Sequence, residues 1–209
     1  MRAKAKPVPA ENRSFTETAR RAQIVDCAID AIAEMGFANA SVDQIAKRAG
    51  VSKGVITYHF PNKEEIVNAI IETVVAAGRA YMVPRIMAET SAAGRLRAYI
   101  ESNLEFMDAH RKLLIALVQI AMSARRADGS LVIGPESHAQ RAATLEELLR
   151  AGQRSGEFRQ FDTRVMALTI IQAIDAVPPL LAREPNLDLK MHAQELATVC
   201  TLAPRKQCS

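Results

Sequence analysis

The stretch SVDQIAKRAGVSKGVITYHFPNKEE, residues 41–65, decides how the whole chain is read. Ser41 stands three residues before Gln44, and Asn62 three before Glu65. At that spacing a side-chain oxygen caps a helix start while a Glu or Gln reaches back. Between them Gly50 supplies a sharp turn, and Ser52 stands where it caps a second short helix running from Lys53 to about Phe60. The first helix, 42–49, carries Val42, Ile45, Ala46 and Ala49 inward, and Ala46 is small enough for another helix to cross closely. Winding the second at about 100° per residue puts Lys53, Gly54, Thr57 and Tyr58 on one half and Val55, Ile56 and His59 on the other. One face holds the helix down. The other offers an ammonium, a glycine, a hydroxyl and a phenol beside the positive end of the helix.

Outward from this pair the signals stay helical. Ser14 with Glu17 repeats the capping spacing, so helices are expected at about 15–35, 42–49 and 63–82. Ile24, Ala28, Ala31, Ile32 and Met35 form one stripe of the first, and Gly36 stops it. Beyond Pro84 and Gly94, Leu96, Ile100, Leu104 and Met107 keep helical spacing, as do Leu113, Leu114, Leu117, Ile120 and Ala121. From Thr163 to Ala182 the chain is nearly apolar all round. Such a helix needs cover on two sides, most simply its own core and a symmetry mate, joined by a last helix at about 188–202. Pro178 and Pro179 should kink or end it. No stretch alternates like a strand and no repeat appears, so the expected fold is all-α. Its organisation is a basic tail over 1–13, a helix-turn-helix domain over 14–62, a larger helical domain over 63–203 and a tail over 204–209.

Of 209 residues 49% are hydrophobic and 24% charged, enough to bury a core. Residues 1–63 hold ten Lys and Arg against six acids, an excess equal to the +4 of the whole chain. A polyanion partner for the first part fits that asymmetry, and a solvated face fits it too. Apolar runs such as LLIALVQIAM fall short of the ~18 residues of a membrane span, and the start lacks the apolar core of a signal peptide. A cytoplasmic protein is expected. Cys27, Cys200 and Cys208 show neither disulfide nor zinc-ligand spacing, and Cys27 reads as a small core hydrophobe. His192, Asp188 and Glu195 share a helix face where surface charge is a better account than a metal site. No P-loop, G-x-S-x-G, G-x-G-x-x-G or H-E-x-x-H motif is present, so no enzymatic activity and no cofactor are expected.

The exposed half of the second short helix suits a duplex-DNA groove. Lys53 can donate to guanine O6/N7, Gly54 lets backbone approach, and Thr57 and Tyr58 can reach phosphate or a thymine methyl. Lys63 can clamp the phosphate backbone from the next helix start. Helix pairs joined by a glycine are common without any such role, and His59 reads equally as a packed, hydrogen-bonded residue.

RRAQIVDCAIDAIAEMGFANASVDQIAKRAGVSKGVITYHFPNKEEI, residues 20–66, settles the choice. Ile24 to Ala28, Gly36-Phe37, Ser41, IAKRAGVSKG, Tyr58-His59-Phe60 and Lys63-Glu64 resemble the N-terminal domain of the TetR family of transcriptional regulators nearly position for position. The resemblance implies a homodimer with one three-helix reading head per subunit and a C-terminal ligand domain. Carried over by motif position, Ser41, Ser52, Tyr58, His59 and Lys63 resemble phosphate contacts, and Lys53, Gly54 and Thr57 resemble base readers. Val55 stands where many members carry a polar residue, which leaves the target sequence open. The segments from Glu105 to Arg126 and from Ala151 to Leu189 are similar, more loosely, to the C-terminal domain of BetI-type members, without fixing the effector.

An effector pocket is expected among the helices of the larger domain, where apolar cavities with a few polar groups form. Its candidates are Asn103, Phe106, Met107, His110, Gln119, Met122, Gln172 and Asp175. The aromatic and Met residues also fit an ordinary core, Gln172 and Asp175 a dimer interface, and His110 a cap. The preferred function is a ligand-responsive repressor that binds a near-palindromic operator as a dimer and is released by a small molecule. The second class is a small-molecule-binding or interaction protein that no longer reads DNA, or an activator of the same family.

Overall fold

The computed structural model describes residues 10–125, 128–133 and 135–204. Among them are ten helices and no strand: α1 (Ala10–Met35), α2 (Val42–Ala49), α3 (Lys53–His59), α4 (Lys63–Ala88), α5 (Ala92–Ala109), α6 (Arg111–Ser123), α7 (Pro135–Arg154), α8 (Thr163–Asp175), α9 (Val177–Arg183) and α10 (Leu189–Leu202). A lone antiparallel bridge joins Arg125 and Leu131. The chain divides into two compact units after Ile70, inside α4, whereas the expected boundary precedes Lys63. Most of the expected basic tail and residues 205–209, Cys208 included, lie outside the described residues.

The capping oxygens act as read, while the Ser41 N–H donates to the Asn39 carbonyl rather than to Gln44. Ser41 Oγ accepts from Gln44 N at 3.2 Å, Ser52 Oγ from Val55 N at 3.3 Å, and Asn62 Oδ1 from Glu65 N at 2.9 Å. Gly50 closes α2 at φ 65° and returns its N–H to the carbonyls of Ala46 and Lys47. Only glycine takes that left-handed turn without strain. Two helix ends differ from expectation. α1 is already helical at Ala10, the first described residue, so Ser14 lies within it rather than at its start. α4 runs through Pro84 to Ala88 instead of ending near residue 82. Proline removes one helical N–H. Beside it the Arg85 guanidinium lies 3.6 Å from the Tyr81 ring centre and donates to the Tyr81 carbonyl at 2.7 Å.

The first unit closes over Ile24, Ala28, Ala31 and Ile32 of α1, Ile45, Ala46 and Ala49 of α2, Ile56 of α3, Phe60, and Ile66, Val67 and Ile70 of α4. Burying each of the larger aliphatics contributes roughly 1.5–3 kcal/mol relative to exposure. Polar ties hold α1 to its neighbours. Arg21 donates to the His59 carbonyl at 2.6 Å and lies over the Phe60 ring, Gln23 donates to the Ala49 carbonyl, and Arg48 pairs with Glu34 and Asp30. Cys27 is only half-buried, at the edge of this core. Burial, with Asp30 nearby, pushes its thiol up.

In the second unit α5 packs against α10 and α7, bringing Leu96, Ile100 and Leu104 onto Leu145, Leu149, Phe158 and Ala197. The expected long apolar helix is broken. α8 ends at Asp175, and α9 begins at Val177 with Pro178 and Pro179 in its first turn, where missing N–H groups cost least. Two stretches, Lys63–Ala88 and Thr163–Arg183, are long and apolar enough to cross a membrane by length and composition, where none was expected. Part of each stretch lies in the core, Ile66, Val67 and Ile70 in one and Ala167, Ile170, Ile171 and Ile174 in the other, while Val75, Met87 and Val165 are exposed.

Candidate functional site

The α3 helix is held from beneath and bare above. Ile56 and Phe60 are buried at 0% and 1% exposure, while Lys53, Gly54, Thr57 and Tyr58 are all exposed, Tyr58 at 73%. Seven residues of helix could not stand alone. The caps at Ser52 and Phe60 and the core beneath fix them, so the outer side chains start from a rigid base.

Each outer group has a definite partner. Lys53 Nζ lies 2.9 Å from Asp43 Oδ2 of α2. Thr57 Oγ1 donates back to the carbonyls of Lys53 and Gly54, both at 3.2 Å. Tyr58 donates its hydroxyl to Glu17 Oε1 at 2.8 Å, and that bond, with the carboxylate's charge, raises the phenol above its ordinary value. A Cβ on Gly54 would meet only Ser52 Oγ, at 3.7 Å, so space within the fold does not require glycine there. His59 is half-buried with its ring edge-on to Tyr58 at 5.0 Å. Lys63 donates to the Phe37 carbonyl and lies over the Phe37 ring at 3.9 Å, and burial lowers its pKa. Lys63 is thus drawn into the head, not extended from it. Ser41 and Ser52 are exposed and already cap their helices. Sequence reasoning gave Asp43 no role, and took Glu17 only as half of a capping spacing and Phe37 only as part of the family resemblance. Each acts from a different helix or loop than its partner, which no local pattern reveals.

The effector candidates fall in more than one place. Asn103, Phe106 and Met107 are buried on α5, and the Phe106 ring stacks on His110 at 4.2 Å and tilts against Tyr81 at 5.9 Å. Asn103 donates to the Tyr99 carbonyl at 2.7 Å, and His110 Nδ1 is 2.8 Å from the Phe106 carbonyl. Asp175 takes two bonds from Arg141, at 2.7 and 3.0 Å. Tyr99 adjoins that pair; burial pushes its phenol up and Arg141 draws it back. Gln119 is half-buried, whereas Met122 is 71% exposed. Gln172, one turn before Asp175 on α8, lies on an open groove of about 500 Å³ between α7 and α8 that Ala139, Ala142, Ala143, Glu146, Arg164 and Leu168 also line. Asp188 caps α10, accepting from Met191 N at 3.0 Å.

These features define a class: a helical protein whose helix-turn-helix head presents a polar helix face, followed by a separate helical unit. Residues 24–70 match the family model of bacterial regulatory proteins, tetR family. By that match, residues 24–70 resemble the N-terminal domain of the TetR family. The chain is 36% identical over 88 residues to the HTH-type transcriptional regulator BetI of Klebsiella pneumoniae, covering 41% of this chain and 45% of that one. It is 34% identical over 91 residues to BetI of Escherichia coli, covering 43% and 47%. The chain thus spans about half the length of the curated relatives it matches. Among solved structures it resembles the fatty acid degradation regulator FadR of Bacillus halodurans, with TM-score 0.76, 25% identity, and 94% and 97% of the two chains covered. FadR of Bacillus subtilis, solved in complex with stearoyl-CoA, superposes with TM-score 0.75 at 24% identity, covering 87% and 98%.

Proposed function

We propose that this chain is a sequence-specific, ligand-responsive DNA-binding regulator, a repressor that holds a near-palindromic operator as a homodimer and is released by a small molecule. The observation that carries the reading is α3, with its apolar side locked into the head and four consecutive-turn groups, Lys53, Gly54, Thr57 and Tyr58, left facing solvent. A major groove admits a helix of that kind, with early side chains at base edges and flanking hydroxyls and amines at phosphates. Ser41, Ser52, Tyr58, His59 and Lys63 take the phosphate role. In Lys63 this requires only one of three ammonium protons, since the other bonds stay within the head.

The second unit supplies the response. A small molecule that binds it better in one arrangement than another shifts DNA affinity by that difference and by no more. The stack of Phe106 on His110, with buried Asn103 and Met107 alongside, is the preferred lining, ahead of exposed Met122.

Duplex selection from a random pool tests the reading, followed by titration against salt. The expected product is an inverted repeat with half-sites about 34–36 Å apart or a multiple of that. Affinity should fall steeply with salt, Lys63→Ala should lower the slope by about one, and Lys53→Ala should relax the preference at one base pair. A salt-insensitive affinity, or one untouched by Lys53→Ala with Lys63→Ala, would sink the contact assignment.

A further inference from the structure

Resting on the DNA-reading assignment above, we propose that Asp43 and Lys53 read one G·C pair jointly, the ammonium donating to guanine and the carboxylate accepting from cytosine, and that Thr57 reads a nearby thymine by its methyl group. The two charges lie 2.9 Å apart on side chains that are 60% and 66% exposed. An ion pair so open to water contributes little to folding. Its effect is geometric. A lone lysine is a point charge on a four-carbon stem and donates to guanine, thymine O4 or phosphate with little distinction. Paired with Asp43, the ammonium has a carboxylate acceptor beside it, so donor and acceptor reach the groove together.

The major-groove edges decide which pair fits. A G·C pair shows two acceptors, N7 and O6, and then the N4 amino donor of cytosine. The couple satisfies all three. An adenine offers the ammonium a single acceptor beside its N6 donor, and a reversed C·G pair puts donor and acceptors on the wrong sides. Without Asp43, the cytosine amino group has no partner on the protein and the preference rests on guanine alone.

Thr57 follows from its hydrogen bonds. Its hydroxyl is turned back to the carbonyls of Lys53 and Gly54, so the exposed remainder of the side chain is a methyl group. In the groove the apolar mark is the C5 methyl of thymine. One helical turn separates Thr57 from Lys53, about 6 Å of axis. Base pairs follow every ~3.4 Å, which places the thymine one or two pairs from the G·C.

The test is duplex selection with the full chain, comparing wild type with Asp43→Ala, Asp43→Asn and Thr57→Ser. Wild type should enrich a half-site with a G·C pair and a thymine one or two pairs away. Asp43→Ala should weaken the G·C preference about tenfold or more and leave the thymine preference standing. Asp43→Asn, which keeps an acceptor oxygen, should retain more of it. Thr57→Ser should do the converse, and replacing that thymine by uracil should weaken wild type but not Thr57→Ser. Undiminished G·C selection by Asp43→Ala, with tighter binding to every duplex, would mean that Asp43 only screens Lys53, and would overturn the proposal. A wild-type half-site lacking the G·C pair would overturn it equally, leaving DNA binding intact. Failure of wild type to bind any duplex would instead remove the DNA-reading assignment, and this inference with it.

Discussion

The Tyr58 hydroxyl answers to two acceptors, Glu17 within the head and a phosphate in the proposed complex. It donates to Glu17 at 2.8 Å, and the phenol is raised above the ordinary 10.0, first by that bond and then by the carboxylate's charge. A raised phenol keeps its proton in the folded state where the unfolded chain has lost it. The associated stability is therefore whole below pH 10.0 and declines as pH rises through the folded value. Glu17→Gln should bring the Tyr58 titration down toward its ordinary value, read by NMR on ring-labelled tyrosine. The same substitution takes a negative charge from beside the phosphate path, so duplex binding should tighten a few-fold with a steeper salt dependence. If the titration moves and the binding does not, Tyr58 is no phosphate contact.

Two helical glycines answer the same substitution in opposite ways. On Gly152 of α7 a Cβ would come within 2.3 Å of Phe158 Cδ2 and 2.9 Å of the Ala92 Cβ, and the Phe158 ring, at 1% exposure, has nowhere to go. Overpacking costs about 1–3 kcal/mol and outweighs the ~1 kcal/mol that alanine brings to a helix, so Gly152→Ala should lower the melting temperature. Gly54→Ala meets only Ser52 Oγ at 3.7 Å. It should stabilise the head by about 0.5–1 kcal/mol while weakening duplex binding, because the new methyl occupies the approach to the groove. Unchanged binding by a stabilised Gly54→Ala would show that backbone never comes close. The start of α5 depends on a distant residue as well as on Ser91. Glu157 accepts from Ala92 N at 3.0 Å and Ala93 N at 3.3 Å, and those bonds, the Ala92 bond foremost, hold its carboxyl below the usual range. A lowered carboxyl contributes stability that is present above the ordinary value of 4.5 and lost as pH falls through the folded value. Glu157→Ala should thus cost about 1 kcal/mol near neutral pH, and its unfolding curve should converge with wild type in acid. A constant difference down to low pH would assign the loss to packing instead.

At the scale of the whole molecule, what the sequence disclosed and what it hid divide by the distance between partners. Ser41 with Gln44, Ser52 with Val55 and Asn62 with Glu65 are three residues apart, so the helix-turn-helix was legible before any coordinates. Lys53 with Asp43, Tyr58 with Glu17 and Ala92 with Glu157 are 10, 41 and 65 residues apart, and only the packing of separate helices brings them together. The effector candidates fall into separate groups, Phe106 and His110 with Asn103 and Met107 in one and Gln172 with Asp175 in another, for the same reason: helical spacing gives a residue's face but not what the face meets. Where periodicity found a face with nothing to cover it, the pattern did carry across scale. The α8 helix buries Ala167, Ile170, Ile171 and Ile174 yet leaves Val165 61% and Leu168 37% exposed, and α10 leaves Met191, Val199 and Leu202 more than half exposed. Apolar surface of that kind on two helices of one unit is what a second copy would bury, and a two-fold partner would supply the second head that a near-palindrome demands. Val165→Glu combined with Val199→Glu places two carboxylates where that contact would be dry. Wild type should sediment as a dimer and the double variant as a monomer with its helical content unchanged, and operator affinity should collapse to that of one half-site. A wild type that stays monomeric at every concentration tested, or a double variant that still dimerises, would place the partner surface elsewhere.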